Sequence, residues 1–348
     1  MNFLLKIDGS YGEGGGQILR SASALSTLMK EPVEINDIRA NRPIPGIRPQ
    51  HHTAISCIKA ICKGTAEGLS IGSSKLTFLP GEIQPGEYNF NIGTAGSINL
   101  VFQTCILACL KTPKPITIRL IGGTDVKWAP TWDYFSQVFL PMIEKMGVKT
   151  EAQLIKRGYY PKGGGEAKLT IHPVDKLKSL KLEEENYSNI EGIVHSANLP
   201  EHISRRMKHA ALKIAVKNNI RSYIQVENAI SLSPGTGITL WCKSDNTILG
   251  ATSLGEKGVA AEKIGENVAN QLIKDIRTKA TVDRYIIDQI LPYMVLADGE
   301  SICIVRELST HTQTNMWIIN QFFKSYKIFQ IEDKQDLKLV KVKGVGFL

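Results

Sequence analysis

No two cysteines in this chain are spaced as CxxC, and all six (Cys57, Cys62, Cys105, Cys109, Cys242 and Cys303) lie inside apolar patterns. Cys105 and Cys109 are four apart on one helical pattern, which suits core packing. This argues against a zinc-ribbon spacing and a disulfide framework, and for reduced, buried thiols in a cytosolic protein. No apolar run reaches spanning length, so no membrane helix is expected. Met1 to Lys6 has no charged head followed by an apolar stretch, so no signal peptide is expected and the expected location is cytoplasmic. The glycine run near the start is not followed by Gly-Lys-Ser/Thr, and its spacing is not that of a dinucleotide fingerprint.

What is present is enough for a sizeable core. The 348 residues are 43% apolar and 22% charged, which fits two domains or one with an insertion. The net charge of +9 favours a polyanionic partner. Of the arginines, Arg20, Arg39, Arg42 and Arg48 fall in the first fifty residues. The planar guanidinium fork suits phosphate, so this cluster says more than the total charge.

Periodicity predicts a strand at Phe3–Ile7, a helix from the glycine run to Met29 and a strand at Val33–Ile38. A loop with Pro43, Pro45 and Pro49 precedes a helix over Gln50–Cys62, then strands near Thr65–Ile71, Lys75–Leu79 and Tyr88–Ile92. The order returns with a helix to Leu110, a strand at Ile116–Ile121, a loop, a helix over Trp132–Met146 and strands at Val148–Lys156 and Glu166–His172. It returns again with a helix over Thr281–Leu296, a strand at Ser301–Val305, a helix over Gln313–Phe323 and strands at Lys327–Ile331 and Leu337–Val342. Three copies of helix, strand, loop, helix, strand, strand suggest three α/β units sharing a helical core. Their inter-strand loops, Arg39–Pro49, Asp125–Trp132 and the one with His311, occupy equivalent places.

Between the second and third copies, residues 182–279 follow another pattern, read as an inserted small α/β domain. Residues 1–181 and 280–348 would form the large domain. The insert holds a basic amphipathic helix, Glu201–Lys217, for which a solvated face is the better reading than a nucleic-acid contact.

Four stretches carry candidate chemistry. His311 is expected in a strand-to-helix loop, with Thr312 or Thr314 as the helix cap. An imidazole there could be base, acid, metal ligand or nucleophile, or a plain surface residue. Gly12-Glu13-Gly14-Gly15-Gly16 is a tight turn or a loop whose backbone N–H groups approach phosphate. Glu13 would repel phosphate there unless a Mg²⁺-type ion lies between them. The Arg39–Pro49 loop, ending at Gln50, His51 and His52, is a clamp on a phosphorylated end or a solvated basic loop. Tyr285 and Asp288 share a helix face with Gln289 adjacent, and Gln103 interrupts an apolar helix.

Taken together, Gly12-Glu13-Gly14-Gly15-Gly16-Gln17-Ile18-Leu19-Arg20, Arg39-Ala40-Asn41-Arg42, Gln50-His51, Gly93-Thr94-Ala95-Gly96-Ser97, Gly122-Gly123-Thr124-Asp125, Tyr159-Tyr160-Pro161-Lys162-Gly163-Gly164-Gly165 and His311 closely resemble the RNA 3′-terminal phosphate cyclase family. The resemblance runs through the whole chain in order. It implies an α/β (α+β) fold of three βαβαββ-type units, like the C-terminal domain of translation initiation factor three, with an inserted smaller α/β domain. It also implies conversion of an RNA 3′-terminal phosphate to a 2′,3′-cyclic phosphodiester, using ATP and a divalent metal, Mg or Mn. By the same resemblance His311 is the nucleophile that carries AMP. Glu13 and Asp288 would hold the metal, and Arg20, Arg39, Arg42, Gln50 and His51 the RNA 3′-phosphate. Gln103 with Tyr285, Ile286, Ile287, Asp288 and Gln289 would line the ATP site. RNA and ATP are the expected partners, with a homodimer as a further option and no membrane.

Two alternatives remain at this stage. One is a non-catalytic ribosomal-RNA processing or binding factor on the same scaffold, which the presence of His311 and Glu13 disfavours. The other is a carboxyvinyl transferase, where the His311 motif has no clear job.

Overall fold

Residues 4–324 and 326–347 are described by a computed structural model. The first expected strand forms as β1 (Leu5–Asp8), whose side chains alternate between buried and exposed; Phe3 lies outside the described residues. α1 (Gly16–Met29) crosses over to β2 (Val33–Asn36), which runs parallel to β1. α2 (Pro49–Ile61), β3 (Thr65–Glu67) and β4 (Leu76–Leu79) complete a sheet of order β1-β2-β4-β3. The strand expected to reach Ile71 stops at Glu67, because Gly68 and Gly72 take φ of 77° and 85° and turn the chain.

The second unit repeats this topology. β5 (Gly86–Asn91), α3 (Ile98–Ala108), β6 (Ile116–Gly122), α4 (Trp132–Tyr134), α5 (Leu140–Lys145), β7 (Thr150–Lys156) and β8 (Gly165–Ile171) give the order β5-β6-β8-β7. The helix expected over Trp132–Met146 is broken into α4 and α5 by a π-helical turn at Phe135–Phe139. Pro141 has no N–H to give and sits in the first turn of α5, where none is needed.

The insert has β9 (Ile190–Ala197), α6 (Glu201–Lys217), β10 (Ser222–Asn228), β11 (Gly235–Lys243), β12 (Ile248–Leu254) and α7 (Ala261–Arg277). Its sheet order, β10-β9-β11-β12, differs from the other units, and α6 and α7 close a second apolar cluster with Ile190, Val194, Met207 and Leu272. On α6, Arg205 pairs with Glu201 and Arg206 with Glu262 at the surface.

The third unit follows as α8 (Ile286–Leu296), β13 (Glu300–Val305), α9 (Thr310–Phe322), β14 (Phe329–Lys334) and β15 (Leu337–Lys343), with sheet order β13-β15-β14. Its first strand is supplied from before the insert. Lys178 and Lys181 bridge in parallel to Asp298 and Ile302. Ile302 N–H donates to the Leu180 carbonyl, and Leu182 N–H to the Ile302 carbonyl. After the insert, Thr281 N–H donates to the Ile304 carbonyl at 2.8 Å, on the same edge of β13. The insert therefore interrupts the third unit inside its first strand.

α8 begins later than expected. The Asp283 carboxylate accepts the N–H groups of Tyr285 (2.8 Å) and Ile286 (3.1 Å), capping the helix, so the turn from Thr281 stays outside it. The helices meet in the centre, with α1 against α2, α3 and α9, and α8 against α9. Phe102, Ile106, Ile290 and Ile318 are fully buried there; each such side chain contributes about 1.5–3 kcal/mol relative to exposure. The fold is α+β, three small mixed sheets around a shared helical layer plus the insert's sheet. Among the described residues no helix is long and apolar enough to cross a membrane. The six cysteines are free and buried.

Candidate active site

α9 starts at Thr310, so His311 lies in the first helical turn rather than in the preceding loop. Ser309, with extended backbone, is the cap; its Oγ accepts the Thr312 N–H at 3.1 Å. Neither threonine expected to cap does so. Thr312 is fully buried, and Thr314 Oγ1 donates back to the Thr310 carbonyl at 2.8 Å. The imidazole thus projects from the electropositive end of a helix, with its side chain half exposed.

Gln17 fixes that imidazole. Its Nε2 donates to the His311 carbonyl at 2.9 Å, and its Oε1 lies 2.7 Å from His311 Nδ1. A carbonyl only accepts, so the amide can point only one way. Oε1 therefore accepts, and Nδ1 carries the proton. Nε2 is left with its lone pair, 4.0 Å from Glu13 Oε2. Burial lowers the His311 pKa, with Arg20 and Arg42 adding to the effect and Glu13 opposing it. The ring is neutral at neutral pH.

Glu13 sits between two groups of residues. Thr310 Oγ1 donates to Oε1, and Arg42 Nη2 lies 2.9 Å from Oε2. The Thr310 hydroxyl, His311 and Arg42 hold the carboxyl below its usual range against the opposing effect of burial. The glycine run around it is conformationally demanding. Gly12 and Gly14 take φ near 60°, and a Cβ on Gly16 would lie 1.9 Å from His51 Nε2.

On one side of Glu13 lies the arginine loop. Arg39 Nη1 donates to the Ile44 and Gly46 carbonyls, which shapes the loop. Burial lowers its pKa, and the nearby positive charges of Arg48 and Arg42 add to the effect. Gln50 Oε1 accepts the Ser97 N–H at 3.0 Å, joining this loop to the start of α3. His51 is only 4% exposed and packs on Gly16. Burial and three neighbouring arginines push its pKa well down, so it is a neutral donor or acceptor rather than a cation.

On the other side opens a cavity of about 960 Å³. Glu13, Arg20, Gln103, Tyr285, Asp288, Gln289 and His311 all line it; Arg39, Arg42, Gln50 and His51 do not. Gln289 Nε2 donates to the Tyr285 carbonyl (2.8 Å), so its Oε1 must accept from Gln103 Nε2 (2.5 Å). Gln103 Oε1 is thereby left as a free acceptor. Ile286 and Ile287 are fully buried in the helical core, so their side chains do not reach the cavity. This corrects the expectation for that segment: helical periodicity sends these two inward and Tyr285, Asp288 and Gln289 outward. Burial raises Asp288 to about 8, Asp283 adding and Arg20 opposing. Burial lowers Arg20 to about 10, which leaves it cationic at neutral pH. The insert closes one wall with Thr252, Ser253, Leu254 and Glu256.

Three site residues escaped sequence reasoning. Gln17 lies inside the motif singled out for its glycines, four residues after Glu13, yet nothing in one sequence says which side chain it meets. Asn315 takes Ser21 Oγ (3.0 Å) on Oδ1 and gives Nδ2 to the Asp288 carbonyl (2.7 Å), tying α1, α8 and α9 together. Asp283 accepts from Tyr134 Oη (2.7 Å) and from Gly250 N–H (2.9 Å) of the insert, as well as capping α8.

A family model described as RNA 3′-terminal phosphate cyclase matches residues 11–328. A protein of that name from Pyrococcus furiosus is 41% identical over 343 residues, covering 97% of this chain and 99% of its own. Another of that name, from Pyrobaculum aerophilum, is 42% identical over 346 residues, covering 99% of each chain. A third, from Methanopyrus kandleri, is 42% identical over 327 residues, covering 92% of this chain and 93% of its own. This chain belongs to the RNA 3′-terminal phosphate cyclase family.

Proposed function

We propose that this protein converts an RNA 3′-terminal phosphate to a 2′,3′-cyclic phosphodiester at the expense of ATP, through AMP carried on His311 Nε2. The observation that carries the reading is the tautomer set by Gln17, which leaves Nε2 unprotonated, beside Glu13 and at the mouth of the cavity.

The cavity is of nucleotide size. Gln103 Oε1 offers an acceptor to an exocyclic amino group such as that of adenine, and Tyr285, 41% exposed, offers a ring face or edge. His311 Nε2 attacks the α-phosphorus, forming a P–N bond as the bond to the β-phosphate oxygen breaks and pyrophosphate leaves. Arg20 supplies fixed positive charge along the wall. An oxygen of the RNA 3′-phosphate, held by the guanidiniums of Arg39, Arg42 and Arg48, then attacks the same phosphorus and displaces Nε2. The resulting anhydride activates the 3′-phosphate. The neighbouring 2′-hydroxyl oxygen attacks the RNA phosphorus, its proton passing to solvent, as the bond from that phosphorus to the AMP oxygen breaks and AMP leaves. This last step is intramolecular, so proximity supplies much of its rate.

A divalent cation fits Glu13. The carboxylate is ionised and partly accessible, with Thr310 on Oε1 and Arg42 on Oε2, and it lines the cavity. Asp288 lines the same cavity and is the second candidate ligand once ionised. Such an ion, Mg²⁺ or Mn²⁺, would neutralise charge on the phosphates.

The test is incubation with α-³²P-ATP and Mg²⁺ or Mn²⁺, without RNA, followed by a denaturing gel. Wild type is expected to retain acid-labile, base-stable label, and His311→Ala to retain none. Folded wild type without label would turn the reading toward an RNA-binding factor. Label on both proteins would move the nucleophile elsewhere.

A further inference from the structure

Behind the cavity, where the second unit meets the insert, lies a buried polar cluster the reaction does not use. Asp125, Asp133, Arg157 and His195 are each at most 2% exposed. Arg157 spans the carboxylates, with Nη1 3.1 Å from Asp125 Oδ2 and Nη2 2.9 Å from Asp133 Oδ1. The same Nη2 lies 2.7 Å from Glu227 Oε2, on a side chain that reaches solvent. One guanidinium therefore serves three carboxylates, two of them buried, and negative charge is left over.

His195 does not supply the balance. Its Nδ1 lies 2.7 Å from Tyr159 Oη. Its Nε2 is buried and has no hydrogen-bond partner among the described residues. That atom points between Asp125 Oδ1 at 3.5 Å and Asp133 Oδ2 at 3.8 Å. One donor atom from each of the three residues lies within 4.8 Å of the others. Tetrahedral ligands at ordinary zinc bond lengths stand about 3.3–3.6 Å apart.

We propose that Asp125, Asp133 and His195 bind a divalent first-row metal ion that fastens the insert to the second unit. One imidazole nitrogen with two carboxylate oxygens suits Zn²⁺, Mn²⁺, Fe²⁺ or Co²⁺ better than the all-oxygen sets of Mg²⁺ or Ca²⁺. The ion's two charges match the excess of three carboxylates over one guanidinium. The surroundings supply an outer shell. With Nε2 on the metal, Nδ1 would carry the proton and donate it to Tyr159 Oη, 2.7 Å away. Thr124 Oγ1 (2.6 Å) and the Trp132 N–H (3.1 Å) orient Asp125. His195 comes from β9 and both aspartates from the loop and helix after β6, so the ion would cross-link elements distant in sequence.

The site is separate from Glu13, and its test does not depend on adenylylation. Purified full-length protein, dialysed against a mild chelator, is analysed by metal mass spectrometry. Wild type and Glu13→Ala are expected to hold about one equivalent of a first-row metal, and His195→Ala less than about a tenth. If His195→Ala does not fold, wild type decides alone. After removal of metal with a strong chelator, CoCl₂ should give a visible band saturating at about one equivalent, with a rise in Tm. Metal-free wild type with no saturable cobalt band, or full metal content in folded His195→Ala, overturns the proposal and leaves a hydrogen-bonded ion cluster only.

Discussion

Gln17 and His311 are joined twice, through the backbone carbonyl and through the ring, so one amide sets both the position and the tautomer of the imidazole. Gln17→Ala leaves Nδ1 and Nε2 to share the proton and the ring free to rotate. We expect AMP labelling to slow by about 10²-fold, with the KM for ATP nearly unchanged. Gln17→Glu keeps an acceptor for Nδ1 but sets a carboxylate oxygen against the His311 carbonyl. It should recover part of the rate and raise the His311 pKa. A loss expressed wholly in KM would instead make Gln17 a nucleotide ligand.

The His311 pKa lies below 6.5, and labelling needs the neutral ring. The rate of AMP transfer should therefore rise with pH through an acid limb whose midpoint is under 6.5. Glu13 raises this pKa and Arg42 lowers it. Glu13→Gln should shift the limb to lower pH, and Arg42→Ala to higher pH. Single-turnover labelling across the acid range measures both, and shifts in the reverse directions contradict the assignment.

Arg42→Ala should also weaken binding of RNA ending in a 3′-phosphate by about 10- to 100-fold, since a charge-assisted hydrogen bond contributes roughly 1.5–3 kcal/mol. RNA ending in a 3′-hydroxyl should lose much less. Equal losses in a filter-binding assay would show a general contact with the backbone.

Asp288 is raised to about 8, so its carboxyl is protonated at neutral pH. Ligation of a cation requires it to ionise. Mn²⁺ affinity in the presence of ATP should therefore increase as pH rises toward 8, with proton release on binding. Asp288→Asn should flatten that dependence. Calorimetry in two buffers of different ionisation enthalpy reads the proton directly; no release in wild type would leave Glu13 as the sole protein ligand.

Gly16→Ala tests the packing beneath the site. Its new Cβ would stand 1.9 Å from His51 Nε2, and His51 is buried. Displacing the ring should cost about 1–3 kcal/mol of stability by denaturant titration. Labelling should fall as well, because Gln17 and Arg20 lie on the same first turns of α1.

Much of the frame was legible in the sequence because it rests on local signals. Alternation of apolar residues marked β6 and β8, and the repeated order of elements marked three units. The errors have local causes too. α8 starts late because the Asp283 side chain competes for its first N–H groups. α9 starts early because Ser309 caps before either threonine. The strand at 178–182 was hidden because its partner, β13, lies more than a hundred residues away. Gln17, Asn315 and the His195 cluster were hidden for the same reason. Each gains its meaning from a residue far along the chain, and one sequence without its fold does not say which.

Leu182 and Thr281 leave and rejoin the same edge of β13, at Ile302 and Ile304, only about 7 Å apart along a strand. Seen from the three-unit body, the intervening chain is a closed excursion that begins and ends at one doorway. It can lengthen, shrink or be exchanged without rethreading any strand, and closing so short a gap adds little entropy cost whatever the excursion's length. The insert can therefore change in length without disturbing the body's threading, and what ties it to the rest is the wall it lends to the cavity together with the buried contacts of His195, Glu227 and Gly250.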